Sequence, residues 1–294
     1  MKPENNKNFN IAISNLRTLS KDPYPGRGLF IGLNDTGEEL IAGYFIGGRS
    51  EGSQLRMLKE VDDTTIRTRA IKKVEKNGET YYIEKPDEEV DPVQRPLIIY
   101  NAMKYVEANG NKILLVTNGD QTDAIHNAII SPENKHYYNA YLSVKNSLLD
   151  ENDAPNFTSR IVGITDLNNL KAFTSIIKKE DSGETKRLIY DPFIMRSGNK
   201  DEAGYAICFH TYENFGRSPA DVQDKEKRLP PFKRVPYLIR IEGSAQDILN
   251  KFSKEVLNPE TYAAMVVQSY KIKTGERTVL THNKREIRDS ISTL

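Results

Sequence analysis

The chain has 294 residues, 37% of them hydrophobic, enough for a sizeable core in one large domain or two smaller ones. Lys and Arg total 42 against 41 Asp and Glu, a formal charge of +1, which excludes the global basic field of a nucleic-acid or membrane-surface binder. The lone Cys208 excludes an intramolecular disulfide and a multi-cysteine zinc cage, and with no long apolar run and no signal-like stretch after Met1 the expectation is a cytoplasmic protein.

Residues 1–8 are polar and predicted to fray. Apolar positions at Phe9, Ile11, Ile13, Leu16 and Leu19 are partly in helical period. Asp22-Pro23-Tyr24-Pro25-Gly26 then forces extended backbone. Strands over 29–33 and 39–46 form a hairpin across Asn34-Asp35-Thr36-Gly37, and 47–56 reads as a flexible polar loop carrying Arg49 and Arg56. Strands over 65–74 and 79–84 flank Lys76-Asn77-Gly78, and 86–92 is an acidic loop.

Two apolar runs, 95–103 and 113–117, read as buried strands, with Pro96 tolerated only at a strand start. Each meets polar groups that a core would not choose, Tyr100-Asn101 and Asn118-Gly119-Asp120. The second set reads as a tight turn, with Asp120 capping a helix from near Thr122. Strand, turn and helix N-terminus together present free N–H groups suited to an anion or a developing oxyanion.

Helices are predicted over 122–130 and 133–149, the second after Ser131-Pro132. A polar connector over 151–160 leads to strands over 161–164, 171–177, 187–193 and 204–211. Segment 214–235 carries Arg228-Leu229-Pro230-Pro231 and reads as a surface excursion. A strand over 236–241 precedes helices over 244–256 and 259–270, capped by Ser244 and Asn258, and the charged tail from 283 reads as peripheral. Hairpins followed by helix pairs, twice over, predict an α+β fold with helices on antiparallel sheets. No G-x-G-x-x-G opens a helix, which argues against a doubly wound nucleotide fold.

Four histidines (His126, His136, His210, His282) are scattered without metal-ligand spacing, so no metal site is predicted; Cys208 reads as core, and there is no G-x-S-x-G. Arg27, Arg49, Arg56 and Arg95 sit in loops or at strand ends, three of them beside Gly or Pro. Guanidinium forks in such places suit phosphate, although solvated arginines would look the same. Tyr100 also reads as an ordinary strand aromatic, and Asp120 and Asp123 as helix caps. Asp153, Asn156 and Arg160 share one loop, where an Asx-type turn is the plain alternative.

Taken in order, Gly26-Arg27-Gly28 with its hairpin, Gly48-Arg49-Ser50, Ile99-Tyr100-Asn101, Thr117-Asn118-Gly119-Asp120-Gln121-Thr122-Asp123 and Asn156-Phe157-Thr158-Ser159-Arg160-Ile161 form a set. From about residue 24 to 270, the chain resembles the archaeal-type IMP cyclohydrolase family, found also as IMP cyclohydrolase-like proteins in some bacteria. That resemblance implies an N-terminal-nucleophile-hydrolase-like αββα sandwich of two antiparallel sheets flanked by helices, without the N-terminal nucleophile. It implies a domain over 24–282, with an N-terminal extension over 1–23, insertions near 60–90 and 214–235, and a tail over 283–294. Ser159 stands where the family usually has Pro, which should loosen that loop.

The implied reaction is reversible closure of 5-formamidoimidazole-4-carboxamide ribotide to IMP with loss of water, with no metal or cofactor. Its only implied partner is the purine ribotide, with no nucleic acid or membrane; a homo-oligomer is compatible. Carried onto this chain, the resemblance implies Tyr100, Arg27, Asp120 and Asp153 as catalytic candidates. Arg49, Ser50, Arg56, Asn101, Asn118, Gly119, Asn156 and Arg160 are the implied substrate-binding candidates. The competing expectations are a non-catalytic or repurposed purine-nucleotide-binding protein on the same fold and an amidohydrolase of the N-terminal-nucleophile type. The second is disfavoured because residues 1–25 offer no obvious nucleophile at a cleavage point.

Overall fold

The structure is a computed structural model that describes residues 7–196, 203–224 and 227–288. Two sheets lie face to face. The first contains the predicted hairpin, β1 (Arg27–Leu33) and β2 (Glu39–Gly47), in register from Arg27↔Ile46 to Leu33↔Leu40. The second begins with β3 (Arg56–Asp62), β4 (Thr65–Lys76) and β5 (Glu79–Glu84). It continues with β6 (Asn101–Ala108), β7 (Asn111–Thr117), β8 (Arg160–Asp166), β9 (Lys171–Lys179) and β10 (Thr185–Ile194). The chain then returns to the first sheet for β11 (Tyr205–His210), β12 (Tyr237–Arg240), β13 (Tyr262–Lys271) and β14 (Arg277–Asn283), and ends the described residues with β15 (Ile287–Arg288). The first sheet is antiparallel, ordered β12-β11-β1-β2-β13-β14. The second is ordered β10-β9-β8-β7-β6-β4-β5-β15, with β3 on β4, and is mixed because β15 runs parallel to β5.

Side-chain alternation separates the layers. On β7, Leu114 and Val116 join the core between the sheets, whereas Ile113 and Leu115 join an outer cluster. That outer cluster is closed by α4 (Gln121–Ile130) and α5 (Tyr137–Val144) through Ile125, Ile129, Tyr137 and Tyr141. Helix α1 (Lys7–Ser20) buries Leu16 and Leu19 against the first sheet. Helix α7 (Ala245–Lys251) runs into a π turn (Phe252–Val256) on the same side, where Phe252 stacks on Phe30 at 4.6 Å. Phe30 and Phe45 each lie across a glycine of the neighbouring strand, Gly43 and Gly28, where a Cβ would stand 2.1 Å from the ring. The fold is α+β, as expected.

Several elements depart from the sequence expectation. Residues 95–98 are a helical turn, α3 (Arg95–Ile98), with Pro96 in its first turn, so the strand starts only at Asn101. The helix expected over 133–149 is confined to Tyr137–Val144, entered through His136, whose side chain accepts from the Tyr138 N–H. Asp120 occupies the N-cap of α4 but makes no side-chain cap bond. The loop over 47–56 contains α2 (Glu51–Gln54), closed by a Ser50–Ser53 capping box, and Arg56 already belongs to β3.

The largest correction is at 259–270, which is β13 rather than a helix. It lies between β2 and β14, and its Ala263 through Val267 are buried without alternation. A run buried on both faces carries no period to read. Segment 214–235 is no mere surface excursion, because its Val222 and Leu229 are buried against Tyr24 and Tyr212 and its Phe232 is buried in the main core. It also contains the short helix α6 (Pro219–Gln223). Within the expected tail, Ile287–Arg288 pairs with β5; residues 1–6 and 289–294 lie outside the described residues.

Candidate functional site

At one end of the sandwich, β1 and β8 begin and β2, β7 and β11 finish. A cavity of about 290 Å3 opens there, lined by Arg27, Arg49, Arg56, Ser50, Ser53 and Asp153, with Thr158, Tyr24 and Tyr212 completing its polar wall. Three arginines thus converge from three segments: the first residue of β1, the loop after β2 and the start of β3.

Arg27 is 7% exposed, and its guanidinium donates to the Asn118 carbonyl at 2.8 Å, the Leu97 carbonyl at 3.2 Å and the Glu151 carboxylate. Burial opposes the charge, but Glu151 outweighs it and holds Arg27 well above the usual guanidinium range. The same Glu151 oxygen accepts from Arg160 at 2.7 Å, and its second oxygen has no hydrogen-bond partner. Arg27 also lies 5.4 Å over the Tyr100 ring, and the Tyr100 hydroxyl is 2.7 Å from that of Tyr44. Burial, reinforced by Tyr100, keeps the proton on Tyr44.

Arg49 and Arg56 differ from Arg27. Neither has a carboxylate partner among the described residues; Arg49 donates only to the Asp224 carbonyl at 3.3 Å, and the buried Nε of Arg56 has no acceptor. Burial, and then Arg27, push Arg56 below its ordinary range. Half-buried guanidinium groups without a direct carboxylate partner suit an anion. Opposite them, Asp153 is raised by burial and by Glu151, although the Thr158 N–H donates to it at 2.6 Å and the Thr158 hydroxyl donates as well.

A sequence model of the IMP cyclohydrolase-like protein family matches residues 24–275. The chain belongs to that family. A search of curated proteins finds no match. The family's span begins after α1 and ends at the β13–β14 turn, so it takes in the whole arginine pocket.

In this IMP cyclohydrolase-like chain, the candidate residues fall into three sets. Arg27, Arg49, Ser50, Arg56, Asp153 and Asn156 line the arginine pocket. Asp120 and Arg160 line a second cleft on the α4 side, joined by an ion pair of 2.8 Å. Tyr100, Asn101, Asn118 and Gly119 line neither. Asn118 bridges the strands by accepting from the Ile161 N–H at 2.8 Å and donating to the Ser159 carbonyl at 2.7 Å. Asn101 donates to Asp123 and accepts from Arg67. Gly119 admits Arg160, whose Nη1 would stand 1.6 Å from a Cβ there. Asn156 also accepts from the Leu229 N–H at 3.2 Å, tying the connector to segment 214–235.

Sequence reasoning missed Glu151, Tyr44, Ser53, Thr158 and Tyr212. Two of these had a signal: Thr158 lies inside the Asn156–Ile161 motif, and Glu151 is an acid two residues before Asp153 in a connector already marked by Arg160. Among the described residues, no three His, Cys, Asp or Glu side chains form a metal-binding group, and no helix is long and apolar enough to cross a membrane.

Proposed function

We propose that this chain is an IMP cyclohydrolase, closing 5-formamidoimidazole-4-carboxamide ribotide to IMP and water in a reversible reaction. The observation that carries the reading is the pair Arg49 and Arg56, without carboxylate partners among the described residues and beside the hydroxyls of Ser50 and Ser53, in a chain matched by the family over 24–275. Guanidinium groups of this kind suit the ribotide phosphate. We also read the helix–sheet–sheet–helix layers as those of the N-terminal-nucleophile hydrolases, with Arg27 heading β1 where a nucleophile would otherwise stand.

In the reaction, the carboxamide nitrogen adds to the formyl carbon and loses a proton as the formyl oxygen gains one. The hydroxyl then leaves as water with a second proton, the formamide nitrogen gives up its own, and the C=N bond forms. Holding the two groups in register supplies up to roughly 7–11 kcal/mol. Arg27, kept charged by Glu151, faces the developing oxyanion. Asp153, whose raised pKa favours holding a proton, serves the departing oxygen. It is preferred to Asp120, which lies outside the pocket, 61% exposed and paired with Arg160. Tyr100 and Tyr44 brace Arg27 from below.

The assay follows IMP absorbance after mixing protein with the formamido ribotide. Wild-type protein turns over, and Arg56→Ala weakens IMP binding by about tenfold to a hundredfold, as expected for a lost charged hydrogen bond of roughly 1.5–3 kcal/mol. IMP binding without turnover would instead support a purine-nucleotide-binding protein on this fold; neither binding nor turnover overturns both readings.

A further inference from the structure

Six hydroxyl groups line the arginine pocket, and five of them are engaged within the protein. Ser50 bonds Ser53 at 3.1 Å, and Ser53 donates to the Ser50 carbonyl at 2.9 Å. Thr158 donates to Asp153 and bonds the Tyr212 hydroxyl, and Thr211 donates to the Pro25 carbonyl at 3.3 Å. The sixth hydroxyl, on Tyr24, has no hydrogen-bond partner among the described residues. Tyr24 is only 8% exposed, yet its oxygen is not one of the sealed, unpaired atoms of the interior, so the surface it keeps opens on the pocket that its ring lines. A phenol in so enclosed a place is a donor without an acceptor.

The ring is held in place from several directions. Pro23 and Pro25 restrict the backbone on either side. The Tyr24 N–H donates to Asp22 at 2.9 Å, and its carbonyl accepts from the Asn214 amide nitrogen at 2.6 Å. The ring stacks on Tyr212 with centroids 5.7 Å apart, and its edge lies against Gly47, where a Cβ would stand 3.1 Å away. Burial holds the proton on Tyr24 against the pull of Arg27, Arg56 and Arg49, with Asp153 assisting.

Arg27 brings charge to this end of the pocket but few free donors. Three of its five N–H groups are committed to the Asn118 carbonyl, to Glu151 and to the Leu97 carbonyl. We propose that the Tyr24 hydroxyl is a further catalytic group, donating a hydrogen bond to the formyl oxygen as it becomes the oxyanion beside Arg27. This rests on the cyclohydrolase reading above. The bond transfers no proton: Tyr24 keeps its own, and the two that the oxygen gains are those of the ring-closure steps already described. Because the formyl oxygen leaves as water, IMP lacks the atom that Tyr24 contacts. A fixed donor aimed at an atom absent from the product acts on rate and not on product affinity.

The test compares Tyr24→Phe with wild type in ring closure, in calorimetric titration with IMP, and in thermal melts. The substitution keeps the ring and its stack and removes a hydroxyl that bonds nothing in the fold, so the melting temperature is unchanged. The kcat falls by about a hundredfold to a thousandfold, the range for one lost oxyanion donor. The Kd for IMP stays within about twofold of wild type. A wild-type kcat in the variant would overturn the proposal while leaving the cyclohydrolase reading intact. A loss of IMP affinity as large as the loss of kcat would also overturn it, since it would place Tyr24 on the phosphate or another group that IMP retains. A lowered melting temperature would overturn it too, by showing the hydroxyl to be bonded within the fold. Absence of turnover in the wild type would remove the cyclohydrolase reading and this role with it.

Discussion

Replacing Glu151 with Gln would leave Arg27 and Arg160, 7% and 5% exposed, facing a neutral amide. Removing one partner of a buried ion group costs far more than the group contributes, about 3–5 kcal/mol. Glu151→Gln is therefore expected to lower the urea midpoint by that much with an unchanged denaturant slope. Adding Arg160→Met, which removes one of the two cations that shared Glu151 and leaves Arg27 as the charge without a carboxylate, should restore part of the loss; a double variant less stable than the single one would contradict this account. On the proposed reading, Asp153→Asn cuts ring closure by about a hundredfold to ten-thousandfold, the range for a missing general acid. Because Asp153 is raised, wild-type kcat/KM falls as pH rises through its pKa, and that limb is absent from the variant's profile. The sequence made the connector over 151–160 legible as a site loop, because Asp, Asn and Arg crowd it. It could not separate Glu151 from Asp153, since the difference is which acid reaches Arg27, 124 positions away in the chain.

Hairpins were legible at the level of elements because turn residues announce them. Asn34 accepts from Thr36, Glu38 and Glu39, and Asn77-Gly78 supplies two positive φ angles between β4 and β5. Central β13 and the turn at 95–98 were illegible for opposite reasons. The first is apolar on both faces and so lacks a period, and the second has strand-like residues but a proline suited to a helix start. The glycines opposite Phe30 and Phe45 belong to the same scale, because each is intelligible only with its partner strand. Gly43→Ala would put a methyl group 2.1 Å from the Phe30 ring, which cannot retreat without breaking its stack on Phe252. A cost of about 1–3 kcal/mol follows for the overpacked site. Shortening the ring in the same chain, as Gly43→Ala with Phe30→Leu, should recover part of it in thermal melts; no recovery would place the strain elsewhere.

For the molecule as a whole, the join between the N-terminal segment and the loop after β11 holds two buried titratable groups that oppose each other. Asp22, 1% exposed, accepts from the Tyr24 N–H at 2.9 Å and the Asn214 N–H at 3.0 Å. Burial nevertheless pushes it up to about 6, with Glu213 adding to the shift and Arg234 opposing it. His210, fully buried and bonded through Nδ1 to the Tyr212 carbonyl at 2.6 Å, is pushed down to about 3 by burial. A carboxyl raised in the folded state gives stability that is present below its unfolded value near 3.8 and is lost as pH rises through about 6. A histidine depressed in the folded state gives stability that is present above its unfolded value near 6.5 and is lost as pH falls towards about 3. Between pH 4 and 6 the two slopes, each about 1.4 kcal/mol per pH unit, have opposite sign and nearly cancel. Asp22→Asn, which keeps the shape and one acceptor, removes the first slope and leaves the second uncovered. Unfolding free energies from urea titration at a series of pH values should then show the variant losing roughly 2 kcal/mol more than the wild type on going from pH 6 to pH 4. Parallel curves for the two proteins would mean that the Asp22 carboxyl is not held protonated at this join.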